Sequence, residues 1–248
     1  RGRITLEIKN ISGAIENLKS EYGSYPPNGM IDDDTKFGTS GSAAALVKAD
    51  FTRMLKKAFP RHNEHKQVVE ALAGFDPGSK TILTSDPLEK GMNAGEALFF
   101  WLGGFSDDPQ YPLTGEGGPS FVVTGKPGDE ILENRKRRYE FDLERLGPKD
   151  GNGAFTGNRF ITYTDPRDDT VTRRINFWQY RPKGSEAPLV YFDVSRYKPG
   201  KGNGKYDLWA ADPTASYDYV YAIKQLRQGV TSINNDINNV VFVDQGKF

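Results

Sequence analysis

The sequence contains no cysteine, only two histidines and no net charge. The absence of cysteine excludes disulfides, thiolate metal sites and cysteine nucleophiles. Because the 33 basic and 33 acidic side chains cancel, no overall field attracts the chain to nucleic acid or to acidic lipid. No stretch of the sequence approaches the roughly 20 consecutive apolar residues that a membrane span needs. Partners must therefore be selected by local surfaces.

What the sequence does contain favours a fold of short elements. Its 248 residues can bury a core as one large domain or two small ones. The 27 glycines and 15 prolines indicate many turns and surface loops, and only 36% of the residues are hydrophobic. The 12 tyrosines and 15 phenylalanines can fill a core that is built on a sheet. This composition argues against a helical bundle.

A helix is predicted at the start of the chain, where apolar residues recur at spacings of 4, 3, 4, 3 and 4. Gly23 then supplies a C-terminal stop, and Pro26 and Pro27 prevent the helix from continuing. The pattern alone is typical of an ordinary amphipathic helix that packs one face on a core. The residues of this stripe are Ile4, Ile8, Ile11, Ile15, Leu18 and Tyr22.

The remaining pattern changes from helical to extended along the chain. A polar loop is expected at residues 28–42, followed by helices at 43–59, 63–73 and 93–102. Short β-branched and aromatic runs, bounded by Gly, Pro and Asp, predict antiparallel strands in the second half. These runs are residues 160–164, 175–180, 189–192, 217–223 and 239–243.

The two histidines are the first candidate for chemistry. His62 and His65 lie three residues apart, with Glu64 or Glu70 available as a further zinc ligand. No HExxH or similar spacing is present, so solvated surface histidines are the favoured interpretation.

Two glycine-rich segments raise the question of calcium. Asp150 begins an oxygen-rich segment, but the twelfth position of a calcium loop is Ile161 rather than Glu, so a glycine-rich turn is favoured. The segment GKGNGKYD at residues 200–207 supplies similar oxygen ligands and fits a hairpin loop equally well.

Charge runs and catalytic motifs give little support for other functions. The acidic run at residues 32–34 and the basic run at 135–138 could pair between neighbouring copies, or each could be a solvated face. Nucleic acid is not expected as a partner, because the chain has no recognised binding module. The sequence has neither a GxSxG elbow nor a phosphate-binding loop. We therefore expect no enzymatic activity.

Residues 11–27, ISGAIENLKSEYGSYPP, resemble the end of the long N-terminal helix in type IV pilin-like proteins, especially the major pseudopilins of type II secretion. The family pattern A-L-x-x-Y-K-x-x-x-G-x-Y-P is matched in part by Ala14, Leu18, Tyr22, Gly23, Tyr25 and Pro26. Here Lys19 follows Leu18 directly, and the aromatic residue adjoins the glycine. Segments 96–105, 139–146 and 188–198 look like parts of the enlarged pseudopilin-like proteins of planctomycete-type bacteria.

The resemblance implies an α+β pilin-like fold, in which a long N-terminal amphipathic helix packs on an antiparallel sheet with a large helical and loop insertion. Residues 1–27 would be the helix and its stop, 28–154 the insertion, and 155–248 the sheet and C-terminal loops of one globular domain. It implies a structural subunit of a pseudopilus or pilus-like filament, which acts by polymerisation and not by catalysis.

The resemblance also implies partners and a location. The subunit would bind copies of itself, other pseudopilins and the inner-membrane assembly machinery. An apolar helix half upstream of Arg1, processed by a prepilin peptidase and methylated, would anchor it in the inner membrane before assembly. The folded part would lie in the periplasm or at the cell surface.

Calcium is the cofactor that the resemblance suggests, because major pseudopilins commonly hold this ion near their C-terminal strands. The usual D-P-W-G-x-P-Y segment is absent, and Asp207-Leu208-Trp209 and Asp212-Pro213 only echo it. The candidate ligands are Asp193, Asp207 and Asp212.

Two other classes of function stay open on the sequence alone. A secreted cell-surface or glycan-binding module could use exposed Trp101, Trp178 and Trp209 as stacking platforms, unless these tryptophans belong to the core. A hydrolase could pair Asp168 and Asp169 with Glu186, although no spacing argument supports that pairing.

Overall fold

The protein has an α+β fold in which helices occupy the first half of the chain and antiparallel strands dominate the second. The computed structural model describes residues 2–27, 42–74, 78, 80–87, 91–92, 94–120, 135–147, 159–183, 188–193, 197–199, 206–208, 221–226 and 240–241. The helices are α1 (Gly2–Tyr22), α2 (Ser42–Ala58), α3 (Lys66–Leu72) and α4 (Ala94–Gly103).

Helix α1 confirms the predicted N-terminal helix and ends as its sequence indicates. Gly23 adopts a φ of 69°, a left-handed conformation that glycine takes without steric cost. Its backbone N–H donates to the carbonyl of Lys19 over 2.6 Å, which closes the last turn. The Lys57 ammonium group donates to the Gly23 carbonyl over 2.9 Å and fixes this end against α2.

Helices α2 and α4 lie where the periodicity predicted them, but α3 is shorter than expected. His65 is the N-cap of α3 with extended backbone dihedrals, and its side chain accepts a hydrogen bond from the Gln67 N–H over 3.3 Å. The preceding backbone is held differently, because the Asn63 N–H donates to the Gln110 carbonyl over 2.7 Å. Because of this long-range contact, α3 begins at Lys66 rather than at residue 63.

The described strands pair only antiparallel. Strands β4 and β5 form a hairpin in which Ile161 faces Ile175. Strand β10 lies between β7 and β11, whereas β1 pairs with β2, β3 with β6, and β8 with β9. The strands are β1 (Phe105–Ser106), β2 (Arg135–Lys136), β3 (Leu146–Gly147), β4 (Arg159–Asp165), β5 (Asp168–Phe177), β6 (Gln179–Tyr180), β7 (Leu189–Asp193), β8 (Tyr197–Pro199), β9 (Tyr206–Leu208), β10 (Tyr221–Leu226) and β11 (Val240–Val241).

Strand β5 differs most from the sequence prediction, which began it at Ile175. It starts at Asp168, immediately after a turn in which the Asp165 carboxylate accepts a hydrogen bond from the Arg167 N–H over 3.0 Å. Its first half carries exposed and charged side chains, so the apolar pattern is missing there. Strands β8 and β9 pair antiparallel on either side of residues 200–205, and those residues lie outside the described part of the chain.

One hydrophobic core joins α1, α2, α3 and α4 with strand β1 and strands β3 to β7. Helix α4 is apolar on nearly every side, which is typical of a buried helix. Its Trp101 lies 5.7 Å, between ring centroids, from both Phe51 and Phe105. The division of the chain into segments 1–27, 28–154 and 155–248 stays a prediction.

Candidate functional site

The stripe on α1 faces the core. Ile8, Ile11, Ile15 and Leu18 are at most 2% exposed, while Ile4 and Tyr22 are partly buried against the same cluster. Burial of apolar surface stabilises the fold by about 25 cal/mol per Å², so a buried Ile or Leu side chain contributes roughly 2 kcal/mol to the free energy of unfolding. The stripe therefore anchors α1. That all six of its residues pack on a sheet stays a prediction.

Hydrogen bonds tie α1 and its end to two strands. The Tyr180 hydroxyl of β6 donates to the Glu7 carboxylate near the start of α1. The Tyr191 hydroxyl of β7 donates to the Pro26 carbonyl over 3.0 Å, just beyond the helix stop. Burial comes first among the causes that raise the pKa of Tyr180, and its bond to Glu7 adds to the shift. Tyr180 therefore stays protonated and acts as a donor at neutral pH.

The residues of the helix-end motif also make specific contacts. Arg138 donates to the Tyr22 hydroxyl over 2.7 Å and forms an ion pair of 2.6 Å with Glu21. The Tyr25 hydroxyl donates to Glu16 over 2.9 Å and accepts from the Lys19 ammonium group over 3.0 Å. The C-terminal part of α1 is therefore held on two sides, by a cation from a distant loop and by the chain that leaves the helix.

The opposite side of α1 faces solvent, and we call it the outer face. Leu6 is 61% exposed there. A Cβ at Gly13 would meet nothing within 4 Å, so the middle of this face is open. The outer face consists of Arg3, Leu6, Lys9, Asn10, Gly13, Glu16, Asn17 and Ser20.

A buried polar network, which the sequence analysis did not identify, holds residues 106–120. The Glu64 carboxylate accepts from the backbone N–H groups of Leu113 and Thr114 over 2.6 and 3.0 Å, and from the Thr114 hydroxyl over 2.8 Å. Arg135 donates to the carbonyls of Gly117 and Gly118 over 2.7 Å each.

The basic run at 135–138 is therefore not a uniformly solvated face. Arg135 is 8% exposed and serves the network, and Arg138 holds α1, so the solvated-face alternative does not hold for these two residues. Lys136 and Arg137 do lie at the surface, beside Asp107 and Glu140 respectively. The acidic run at 32–34 lies outside the described residues.

The histidines have local structural roles. His65 caps α3, and Glu64 is engaged by the loop, which leaves neither of them positioned for zinc. His62 is half-buried rather than fully solvated; burial, followed by the charge of Lys56, lowers its pKa. Across the ranges that the structure describes, no cluster of three or more His, Asp or Glu side chains is placed to bind a metal ion.

The calcium hypothesis stays a prediction. Asp193 ends β7 and Asp207 lies in β9, but their side chains lie outside the described part of the structure. Asp212 and the segment that begins at Asp150 lie outside it entirely.

Two of the three tryptophans proposed as glycan platforms are core residues. Trp101 is 1% exposed and Trp178 is fully buried, so neither can stack on a ligand at the surface, and that expectation was wrong. Trp209 lies outside the described residues.

Among the carboxylates suggested for a hydrolase, Asp168 accepts hydrogen bonds from the Thr170 N–H and hydroxyl over 3.1 and 2.6 Å, which is a turn-stabilising role. Glu186 lies outside the described residues.

No helix within the described ranges combines the length and the apolar character needed to cross a bilayer. Comparison with protein-family models, with curated proteins and with solved structures finds no match to this chain.

Proposed function

We propose that this chain is the folded part of a pilin-like filament subunit, a pseudopilin or pilus component, that acts by polymerisation and has no catalytic role. The observation that carries the proposal is the form of α1. One face is buried in the core, the other is open, and the helix end is fixed by Tyr22, Gly23, Tyr25 and Pro26, the residues that carry the family resemblance.

The rigid attachment of α1 suits this role. A filament subunit must transmit load from a packed helix to its globular part, so the helix should not slide on the core. Buried Ile11 and Ile15 oppose sliding by packing, and Arg138 opposes it by charge. Exposed Leu6 gives the first half of the helix an apolar contact point for a neighbour.

The proposal includes partners and a location. Copies of the same chain, other pseudopilins and the inner-membrane assembly machinery would bind through α1 and an apolar helix that precedes it. The folded part would lie in the periplasm or at the cell surface, with the full-length subunit anchored in the inner membrane until assembly.

The coding sequence upstream of Arg1 tests the proposal first. A short basic leader ending in Gly, followed by about 20 apolar residues with Glu at the fifth position, would support it. An ordinary cleavable signal peptide ending near Arg1 would overturn it and make a secreted binding module the leading candidate.

Cross-linking in cells that express the full-length protein gives a second test. Because the chain has no cysteine, one introduced thiol is unique within it. We expect Leu6→Cys to form oxidative cross-links in filaments, either between two copies of the variant or between the variant and a neighbouring subunit that carries its own introduced thiol. Asp169→Cys, on the exposed tip of the β4–β5 hairpin, is the matched control and should cross-link less. Equal yields at both positions would argue against α1 as the assembly surface.

A further inference from the structure

The outer face of α1 is uneven in charge and in size along the helix. Its basic residues, Arg3 and Lys9, lie in the first half, and its acidic residue, Glu16, lies in the second half. Gly13 lies near the middle, where a Cβ would meet nothing within 4 Å. Leu6 supplies an apolar side chain that is 61% exposed. The face therefore has a small residue at its centre and opposite charges on either side of it.

These residues form a narrow band with a centre and two flanks. At about 100° of rotation per residue, the eight residues of the outer face fall within an arc of about 140°. A single helix from another molecule can therefore cover the whole band. Lys9 and Glu16 form one flank. The centre consists of Leu6, Gly13 and Ser20, and the other flank consists of Arg3, Asn10 and Asn17.

We propose that two copies of this chain pair through their outer faces, with the two α1 helices antiparallel about a two-fold axis at Gly13. That axis runs between the helices at right angles to both, so each flank meets the same flank of the partner. Lys9 then lies beside the partner's Glu16, and symmetry repeats this ion pair with the roles exchanged. Gly13 meets the partner's Gly13, where the missing Cβ atoms let the two backbones approach closely. Leu6 covers the partner's Ser20.

The distribution of charge selects the antiparallel orientation. A parallel pair would bring the two basic halves together and would place Lys9 across from the partner's Asn10, without an ion pair. The antiparallel pair instead makes two Lys9–Glu16 ion pairs and brings the N-terminus of each helix close to the C-terminus of the other, as their dipoles favour. Because these ion pairs are exposed, salt screens them. The pair should therefore weaken as the ionic strength rises.

The small contact area makes this a weak and reversible pair. Helix α1 has 21 residues and is about 32 Å long, and one band per copy buries less than the roughly 1,200 Å² of a stable interface. The pair does not rest on the proposed filament role. If both hold, two copies anchored in one membrane would point the same way, so the antiparallel pair would form only between unanchored subunits. It would cover the face that a filament uses.

Sedimentation of the chain of residues 1–248, at concentrations up to about 1 mM, tests the pair. We expect a monomer–dimer equilibrium that weakens with salt. Lys9→Glu alone, or Glu16→Lys alone, brings like charges together twice and should raise Kd by about tenfold or more. An equimolar mixture of the two variants should pair again, because each substituted side chain then lies beside an opposite charge at both contacts.

This mixture separates pairing from an effect on folding. Glu16 also accepts a hydrogen bond from the Tyr25 hydroxyl, so Glu16→Lys changes the isolated subunit as well. Mixing restores the contact between subunits but not the bond to Tyr25. A wild-type chain that stays monomeric at every concentration, or variants that do not pair when mixed, would overturn the proposal.

Introduced thiols test the orientation, because the sequence has no cysteine. Gly13→Cys should form a disulfide between two copies, since Cα atoms within about 7 Å can be bridged. A mixture of Leu6→Cys and Ser20→Cys should cross-link. Leu6→Cys alone should not, because the two positions would lie about 21 Å apart. Asp169→Cys, on the exposed hairpin, measures random collisions.

The cross-linking pattern can contradict the antiparallel pair directly. Cross-links in Leu6→Cys alone, with none in its mixture with Ser20→Cys, would show a parallel pair and overturn the proposal. Yields at Gly13→Cys no higher than at Asp169→Cys would also overturn it. These experiments use chains without a membrane anchor and do not involve filaments, so their failure would leave the proposed filament role to its own tests.

Discussion

Single residues in this protein show how a charge is stabilised by its partners. Asp165 is 3% exposed and accepts from Arg167 Nε over 2.9 Å and from Arg173 Nε over 3.1 Å. Burial alone would raise its pKa, but the bonds from these arginines outweigh burial and lower the pKa to about 2. The carboxylate therefore stabilises the folded state whenever it is ionised.

The lowered pKa of Asp165 predicts acid sensitivity. Its contribution is present above the unfolded pKa of about 4 and is lost as pH falls towards 2, because the unfolded state then binds the proton more readily. We expect Asp165→Asn to cost about 1–2 kcal/mol at pH 7, since the arginines are partly exposed and solvent screens the pair. Urea unfolding at pH 7 and pH 2 should show the two proteins converging, and parallel pH profiles would contradict this role.

Two glycines should respond in opposite ways to the same substitution. Gly104 has a φ of 100°, and a Cβ there would lie 2.4 Å from the Lys136 carbonyl oxygen. Gly104→Ala should cost at least about 2 kcal/mol through strain and collision. Gly13→Ala, on the open outer face of α1, should instead stabilise by about 0.5–1 kcal/mol. Thermal unfolding of both variants measures the contrast, and a similar melting temperature for the two would refute it.

At the scale of elements, the sequence predicts what is periodic and misses what depends on distant contacts. The stripe on α1, the apolar helix α4 and the buried half of β5 are visible as local patterns, so their positions could be predicted. The burial of Glu64 and Arg135 could not, because charged residues are ordinarily exposed and their partners come from a loop far along the chain. The apolar spacing also could not reveal that Trp178 would be buried.

The attachment of α1 predicts a difference between two neighbouring arginines. Arg138→Ala removes an ion pair and a hydrogen bond to a half-buried tyrosine, so it should destabilise by about 1–3 kcal/mol. Arg137→Ala removes only a loose, exposed pair of 3.6 Å to Glu140 and should cost less than about 0.5 kcal/mol. Hydrogen exchange in the last turns of α1 should rise in Arg138→Ala alone. Equal effects in the two variants would show that the anchor is not specific.

At the scale of the whole molecule, two large apolar side chains that are exposed among the described residues allow assembly to be tested separately from folding. Leu6 is 61% exposed on the outer face of α1, and Phe160 is 41% exposed on β4 with the Arg174 guanidinium 3.6 Å from its ring centroid. If α1 is the assembly surface, Leu6→Asp in the full-length protein should abolish filaments while changing the free energy of unfolding by less than about 0.5 kcal/mol. Phe160→Asp should leave filaments intact, although it loses a cation–π contact worth about 0.5–1 kcal/mol. Electron microscopy of cells that express each variant measures the outcome. Normal filaments from Leu6→Asp would place assembly on another surface.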